Sequence, residues 1–166
     1  MSNVSRADEL PGLLVDTSWL YQHLDDPGVR IVDAGSPDGY AKAHIPNSVS
    51  IPHNYIKDTA DATHVMPPDQ FSQLMGQLGI GDDTHVVVYD HNFSLTAARL
   101  WWVLNYYGHS RCSVVDGGWL KWLEESRPVA FRPSTFSSPG PFTPRANAKV
   151  FCSMDYLKAG IDNPDI

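Results

Sequence analysis

Cysteine is scarce in this chain. Among 166 residues there are two, Cys112 and Cys152, far apart and in no CxxC or Cys/His spacing. That argues against a disulfide scaffold and a thiolate metal site, and leaves two reduced thiols acting as small hydrophobes. Clustered Lys and Arg are also missing, and the net charge is -7. Nucleic acid and anionic membranes both demand a basic patch, so neither is expected as a partner. No apolar run approaches the ~18 residues of a membrane span. Residues Met1–Glu9 lack the apolar stretch of a secretory signal. A soluble protein of a reducing compartment, the cytoplasm, is expected. The seven histidines, His44, His53 and His64 for instance, match no HExxH or zinc template. They read as scattered surface or core side chains, so no metal and no cofactor is expected.

What is present is the material of a core: 42% of the residues are apolar and five are tryptophan. Strand and helix patterns alternate. Leu13–Val15 reads as a short strand, and Asp16-Thr17-Ser18 cap a helix through Leu24. Asp26-Pro27-Gly28 ends that helix, and Val29–Asp33 is the next strand. Pro67-Pro68 open a helix with Phe71, Leu74, Met75 and Leu78 on one face, stopped by Gly79 and Gly81. His85–Tyr89 is apolar at consecutive positions, the mark of a parallel strand buried on both faces. A helix over 95–107 follows, with Ala97, Leu100, Trp101 and Leu104 inward and Gly108 as its stop. Ser113–Val115 is a further strand. Asp116-Gly117-Gly118 then turn into a helix carrying Trp119, Leu120 and Leu123 up to Pro128. This alternation predicts an α/β domain with a parallel central sheet flanked by helices over residues 1–128.

Residues 129–147 change character. Pro133, Pro139, Pro141 and Pro144 alternate with Ser134, Ser137, Ser138 and Gly140, the composition of an extended Pro/Ser-rich linker. After it the sequence restarts. Val150–Leu157 lies over Leu13–Leu20 without a gap. The same offset pairs Ile161 with Leu24, Asp162 with Asp25, Asn163 with Asp26, Pro164 with Pro27 and Ile166 with Val29. Residues 148–166 are therefore expected to be the truncated start of a second copy of the domain, with Cys152 in its first strand. Without a core of their own, residues past about 145 are expected to be mobile, to fold back, or to pair between chains.

Ligands of open parallel α/β sheets bind beyond the carboxyl ends of the strands. The strongest candidate is therefore the segment at the end of the buried strand, Tyr89-Asp90-His91-Asn92-Phe93-Ser94-Leu95-Thr96-Ala97-Ala98-Arg99, with Asp90, His91, Asn92, Phe93, Ser94 and Leu95 as its loop. A loop entering a helix N-terminus gathers N–H groups and the positive end of the helix dipole, and so cradles an anion. Asp90 can fill that cradle with its own carboxylate. As a phosphate-accepting nucleophile it lacks a second acidic partner in His91-Asn92-Phe93, which argues against that chemistry.

Several motifs now carry a family resemblance. Tyr40-Ala41-Lys42-Ala43-His44-Ile45-Pro46 is similar to the aromatic-x3-His-Ile-Pro signature of the rhodaneses. Val87-Val88-Tyr89 resembles the strand leading to their active-site loop. Ala98-Arg99-Leu100-Trp101-Trp102 and Asp116-Gly117-Gly118-Trp119 resemble the later helix and turn. Met66-Pro67, Phe71 and Gly79-Ile80-Gly81 look like tandem sulfurtransferases of the thiosulfate and 3-mercaptopyruvate type. Where His-Ile-Pro normally continues Gly-Ala, this chain has Asn47-Ser48, and Asn tolerates the left-handed backbone of such a turn.

The resemblance implies a rhodanese-like domain of the silent front type. Its catalytic residue would be absent, because the family's cysteine, which carries sulfane sulfur as a persulfide, is replaced by Asp90. The partner would be a C-terminal rhodanese domain, with small sulfur donors bound through the complete protein. Asp33 and His44 would face the rear domain's loop, with Asp33 orienting the imidazole; the alternative is that His44 only anchors its turn. Arg99 would hold an anion or pair with Asp90. A different reading remains open, a stand-alone inactive module for binding or regulation.

Overall fold

A computed structural model describes residues 11–52, 57–58, 64–136 and 140–161. His53, Ser137, Ser138, Pro139, residues 1–10 and the repeat matches at Asp162, Asn163, Pro164 and Ile166 lie outside the described residues. The chain order is β1 (Leu14–Val15), α1 (Thr17–Gln22), β2 (Val29–Asp33), α2 (Pro37–Lys42), β3 (Ser48–Ser50), α3 (Pro68–Gln77), β4 (His85–Tyr89), α4 (Leu95–Tyr106), β5 (Cys112–Val115) and α5 (Gly118–Glu124). A last helix, α6, spans Met154–Gly160.

All five strands pair in parallel in the order β1-β5-β4-β2-β3. β4 lies at the centre and every one of its residues is buried. Successive side chains on a strand point to opposite faces, and β4 therefore builds two cores. Val86 and Val88 pack with Phe71 and Met75 of α3 and with Ala97, Leu100, Val103 and Leu104 of α4. Val87 and Tyr89 pack with Leu20 of α1 and with Trp119 and Trp122 of α5. The sheet is thus covered by helices on both faces.

Capping explains several boundaries. The Asp16 carboxylate accepts the Trp19 N–H at 2.7 Å and opens α1. Ser36 does the same for Gly39 at the start of α2. Asn47 adopts φ 62°, and its side-chain amide donates to the Leu24 carbonyl and the Asp25 carboxylate.

Two helix faces differ from expectation. On α4, Trp101 is only half-buried and Val103 takes its place in the core. On α5 the buried residues are Trp119 and Trp122, whereas Leu120 and Leu123 are 44% and 45% exposed. Residues three apart share a face, and Trp122 also donates its indole N–H to the Pro128 carbonyl at 2.7 Å. α2 and β3 had no counterpart in the sequence pattern.

The described parts of the proline-rich segment are largely extended and are bonded to the domain at several points. Ala130 exchanges both backbone hydrogen bonds with His44 at 3.0 and 2.9 Å. The Arg30 guanidinium lies 4.3 Å above the Phe136 ring. Phe142 is buried against Phe71, with ring centroids 5.6 Å apart. Thr143 donates its N–H and hydroxyl to Asp82, and the Arg145 and Asn147 N–H groups reach the carbonyls of Tyr107 and Tyr106. Beyond it, Ala148–Val150 is a 3-10 turn, and the strand expected around Cys152 does not form: residues 151–153 make no strand pairing among the described residues. A β-strand needs a neighbouring strand to bond to, and none of the described residues offers one there.

Candidate functional site

The candidate site is the turn from β4 into α4. Asp90 follows the last residue of β4 and is 3% exposed. Its Oδ1 accepts the N–H groups of Asn92 and Ser94, both at 2.9 Å. Its Oδ2 accepts the N–H groups of Thr96 and Ala97 at 2.8 and 2.9 Å, and the Thr96 hydroxyl at 2.9 Å. Four backbone donors and one hydroxyl thus converge on one carboxylate at the N-terminus of a 12-residue helix. Burial alone would raise the carboxyl pKa. The bonds from Ala97, Asn92, Thr96 and Ser94 outweigh it and hold the group below the ordinary carboxylate range.

The loop bends sharply to make this possible. Phe93 and Ser94 both adopt left-handed backbone conformations, φ 52° and 63°, which cost energy for residues with a Cβ. No side chain of Ser94 caps α4; Asp90 does that work from four residues upstream. The Asp116-Gly117-Gly118-Trp119 turn closes the site from below. The Trp119 N–H donates to the Asp90 carbonyl at 3.0 Å, and a Cβ on Gly118 would stand 2.8 Å from that oxygen. This close approach is the physical reason for a glycine there.

Of the other candidates, His44 is held as an anchor of its own turn, while Asp33 and Arg99 take partners other than those expected. His44 is buried, with Nδ1 2.7 Å from the Tyr40 carbonyl and Nε2 3.1 Å from the Arg132 carbonyl, and its ring stacks on Tyr40. Asp33 does not orient it. The Asp33 carboxylate instead meets Nε2 of His91 at 3.0 Å. Arg99 does not pair with Asp90 either; its guanidinium lies over the Trp102 ring, 4.9 Å from the centroid. The Asp90 oxygens are already filled by N–H donors, so an ion pair would gain little.

Thr96 and Ala97, which continue the candidate segment past its loop residues into α4, complete the cradle. Tyr89 opens the same segment as the last residue of β4. Its hydroxyl accepts the Ile45 N–H at 3.1 Å and lies 3.2 Å from the Ser48 hydroxyl. Burial, then the nearby Asp33 charge, push its pKa well above the ordinary phenol value, so it stays neutral. Tyr89→Phe is expected to cost about 1–2 kcal/mol by leaving a buried N–H without an acceptor; urea unfolding measures it, and an unchanged midpoint would contradict it.

Among the described residues no helix is long and apolar enough to cross a membrane. Comparison with known proteins agrees with the geometry. Residues 16–125 match the family described as Rhodanese-like domain. The thiosulfate sulfurtransferase of Cricetulus griseus is 36% identical over 137 residues, covering 73% of this chain and 46% of that protein. The 3-mercaptopyruvate sulfurtransferase of Escherichia coli strain K12 is 32% identical over 166 residues, covering 90% of this chain and 57% of that protein. The crystal structure of SseA from Escherichia coli, a 3-mercaptopyruvate sulfotransferase, superposes with a TM-score of 0.81 at 27% identity over 91% of this chain and 62% of that one. This chain therefore spans about half the length of the curated relatives it matches. With a parallel five-stranded sheet and a match over residues 16–125, the chain belongs to the family of rhodanese-like domains.

Proposed function

We propose that this chain is the front, non-catalytic half of a tandem thiosulfate/3-mercaptopyruvate sulfurtransferase. In the complete protein a C-terminal rhodanese domain would carry the cysteine persulfide and hand its sulfane sulfur to a thiophilic acceptor such as cyanide or a thiol. The observation that carries this reading is the Asp90 carboxylate, which takes up four backbone N–H groups and the Thr96 hydroxyl of the cradle. A carboxylate holds no sulfur, and its charge repels an anionic donor from the loop. Neither cysteine replaces it. Cys112 is buried in β5, where burial pushes its thiol pKa far up, and Cys152 does not precede a loop of converging N–H groups.

Two further features support the tandem arrangement. The chain spans 46% and 57% of the two sulfurtransferases it resembles. Ser153 accepts the Tyr156 N–H and caps α6 just as Asp16 accepts the Trp19 N–H and caps α1, at the same offset as the sequence repeat. Val150, Phe151, Leu157 and Ile161 are exposed there, as the opening of a further domain would be without its remainder.

The purified 166-residue chain is expected to form no thiocyanate from cyanide with thiosulfate or 3-mercaptopyruvate, beyond the background of a Cys112/Cys152 double variant. Mass spectrometry should find no added sulfur atom. Turnover with a persulfide on either cysteine would overturn the reading. An open reading frame that stops at Ile166 would favour the stand-alone module instead.

A further inference from the structure

β2 and β4 are neighbours, yet the chain leaves them in opposite directions. After β4 it forms α4 on one face, and after β2 it delivers Ala43 and Ile45 to the other. Such a divergence opens a crevice beyond the strand ends, the place where open parallel sheets bind ligands. Two side chains stand in it, Asp33 at the end of β2 and His91 two residues past β4. Asp33 is fully buried. One of its oxygens accepts the Gly35 N–H at 2.7 Å and the other meets His91 Nε2 at 3.0 Å. The imidazole stacks on Trp119, 5.3 Å between centroids and 17° between planes, with the Tyr89 ring beyond. Gly35 makes room for it, since a Cβ there would stand 2.9 Å from imidazole Cδ2. The ring is 24% exposed, and its Nδ1 has no hydrogen-bond partner among the described residues.

A carboxylate only accepts, so Nε2 carries a hydrogen, and in the neutral ring Nδ1 then holds the lone pair. We propose that Asp33 and His91 form an acid–base site for an uncharged thiol acceptor, with His91 as the catalytic residue and Asp33 as the positioning residue that fixes its tautomer. The proposal rests on the tandem reading above. Two buried carboxylates, Asp33 and Asp90, lie at this end of the sheet and their charge disfavours an anion there, whereas a neutral thiol brings the proton that Nδ1 accepts. Phe93 and Leu95, 89% and 67% exposed in the same loop, give this end of the sheet an apolar surface suited to cover by the rear domain.

In the step proposed, the thiol R–SH gives its proton to Nδ1. The thiolate attacks the outer sulfur of the rear domain's persulfide, forming a new S–S bond. The cysteine–sulfur bond breaks with its electron pair staying on the cysteine, which leaves a thiolate, and R–S–SH departs. Sulfur is transferred with no net oxidation, and His91 later returns its proton to water. General-base assistance of this kind contributes roughly 100-fold or more.

The test uses the complete protein carrying its rear domain, with 2-mercaptoethanol, an aryl thiol already ionised at neutral pH, and cyanide as acceptors. His91→Gln is expected to lower the ratio of 2-mercaptoethanol to cyanide turnover about 100-fold and the aryl-thiol ratio far less. Added imidazole should restore 2-mercaptoethanol turnover in His91→Gly, which a purely structural role would not allow. Asp33→Asn should reproduce the loss without imidazole rescue. A wild-type protein that loads a persulfide while His91→Gln keeps its ratio and His91→Gly ignores imidazole overturns this proposal alone. A wild-type protein that loads no persulfide from either donor overturns the tandem reading and the proposal with it.

Discussion

Asp90→Ala is expected to destabilise the domain by about 2–4 kcal/mol, the cost of leaving several loop N–H groups and a helix N-terminus without their anion. For a chain of this size that lowers Tm by roughly 5–15 °C. Five donors lose one shared acceptor, and water reaches only some of them because Asp90 is nearly covered. The effect has a definite pH dependence. Asp90 has its pKa depressed in the folded state, so its contribution is complete above the unfolded carboxyl value, near pH 4. It is lost as pH falls through the lower folded value. Wild type and Asp90→Ala should therefore differ most at neutral pH and converge in acid. Formate at constant ionic strength should stabilise the variant saturably and leave wild type unmoved, because only the variant has an empty carboxylate-sized cradle. A variant equal to wild type at pH 7 would mean that the loop holds its shape without the anion.

Much of this was legible in the sequence. β2 and β4 span the residues read as strands, Val29–Asp33 and His85–Tyr89, and in β4 the consecutive apolar Val86, Val87 and Val88 mark a central parallel strand buried on both faces. The cap at Asp16 and the carboxylate in the β4–α4 turn were equally visible, since Asp has few uses ahead of a helix other than accepting N–H groups. What escaped was set by tertiary contact. Pro37–Lys42, capped by Ser36, is a six-residue helix too short to show a period, and β3 reads Ser-Val-Ser, with one apolar residue to declare it. Leu120 and Leu123 looked as suitable for the core as Trp119, and only the reach of the Trp122 indole to the Pro128 carbonyl decides between them. The proline-rich segment carries no periodic signal because it bonds to the domain through isolated backbone groups and one buried ring, Phe142. At the site, the partner of Asp33 depended on which histidine the fold brings to it. His44 is eleven residues away in sequence and His91 is fifty-eight, yet the strand pairing of β2 with β4 makes the distant one the neighbour.

Asp90→Cys, placed in a Cys152→Ser background, is expected to create a thiol that reacts with iodoacetamide at pH 6 about tenfold faster than an unperturbed thiol. The donors that now face the carboxylate would face sulfur, and N–H groups at a helix N-terminus favour the thiolate. An ordinary thiol with a pKa near ~8.5 is less than about 1% ionised at that pH. A depression of two units raises the thiolate fraction about 100-fold, and the accompanying loss of nucleophilicity returns roughly tenfold of it. Cys112 does not compete, because it is buried in β5 and its thiol is pushed far above the ordinary range. Thiosulfate then separates two roles of the loop. If the variant thiolate attacks the sulfane sulfur, sulfite leaves and the protein gains one sulfur atom, which mass spectrometry detects. Loading would mean that this domain keeps the whole cradle of its family and was silenced by one side chain. A fast thiol that takes no sulfur would mean that the cradle sets the charge of the nucleophile, while the grip on the donor comes from residues this loop lacks, such as an arginine free of Trp102. A thiol of ordinary reactivity would remove the premise, since the N–H groups would then be held in place only by the carboxylate they bind.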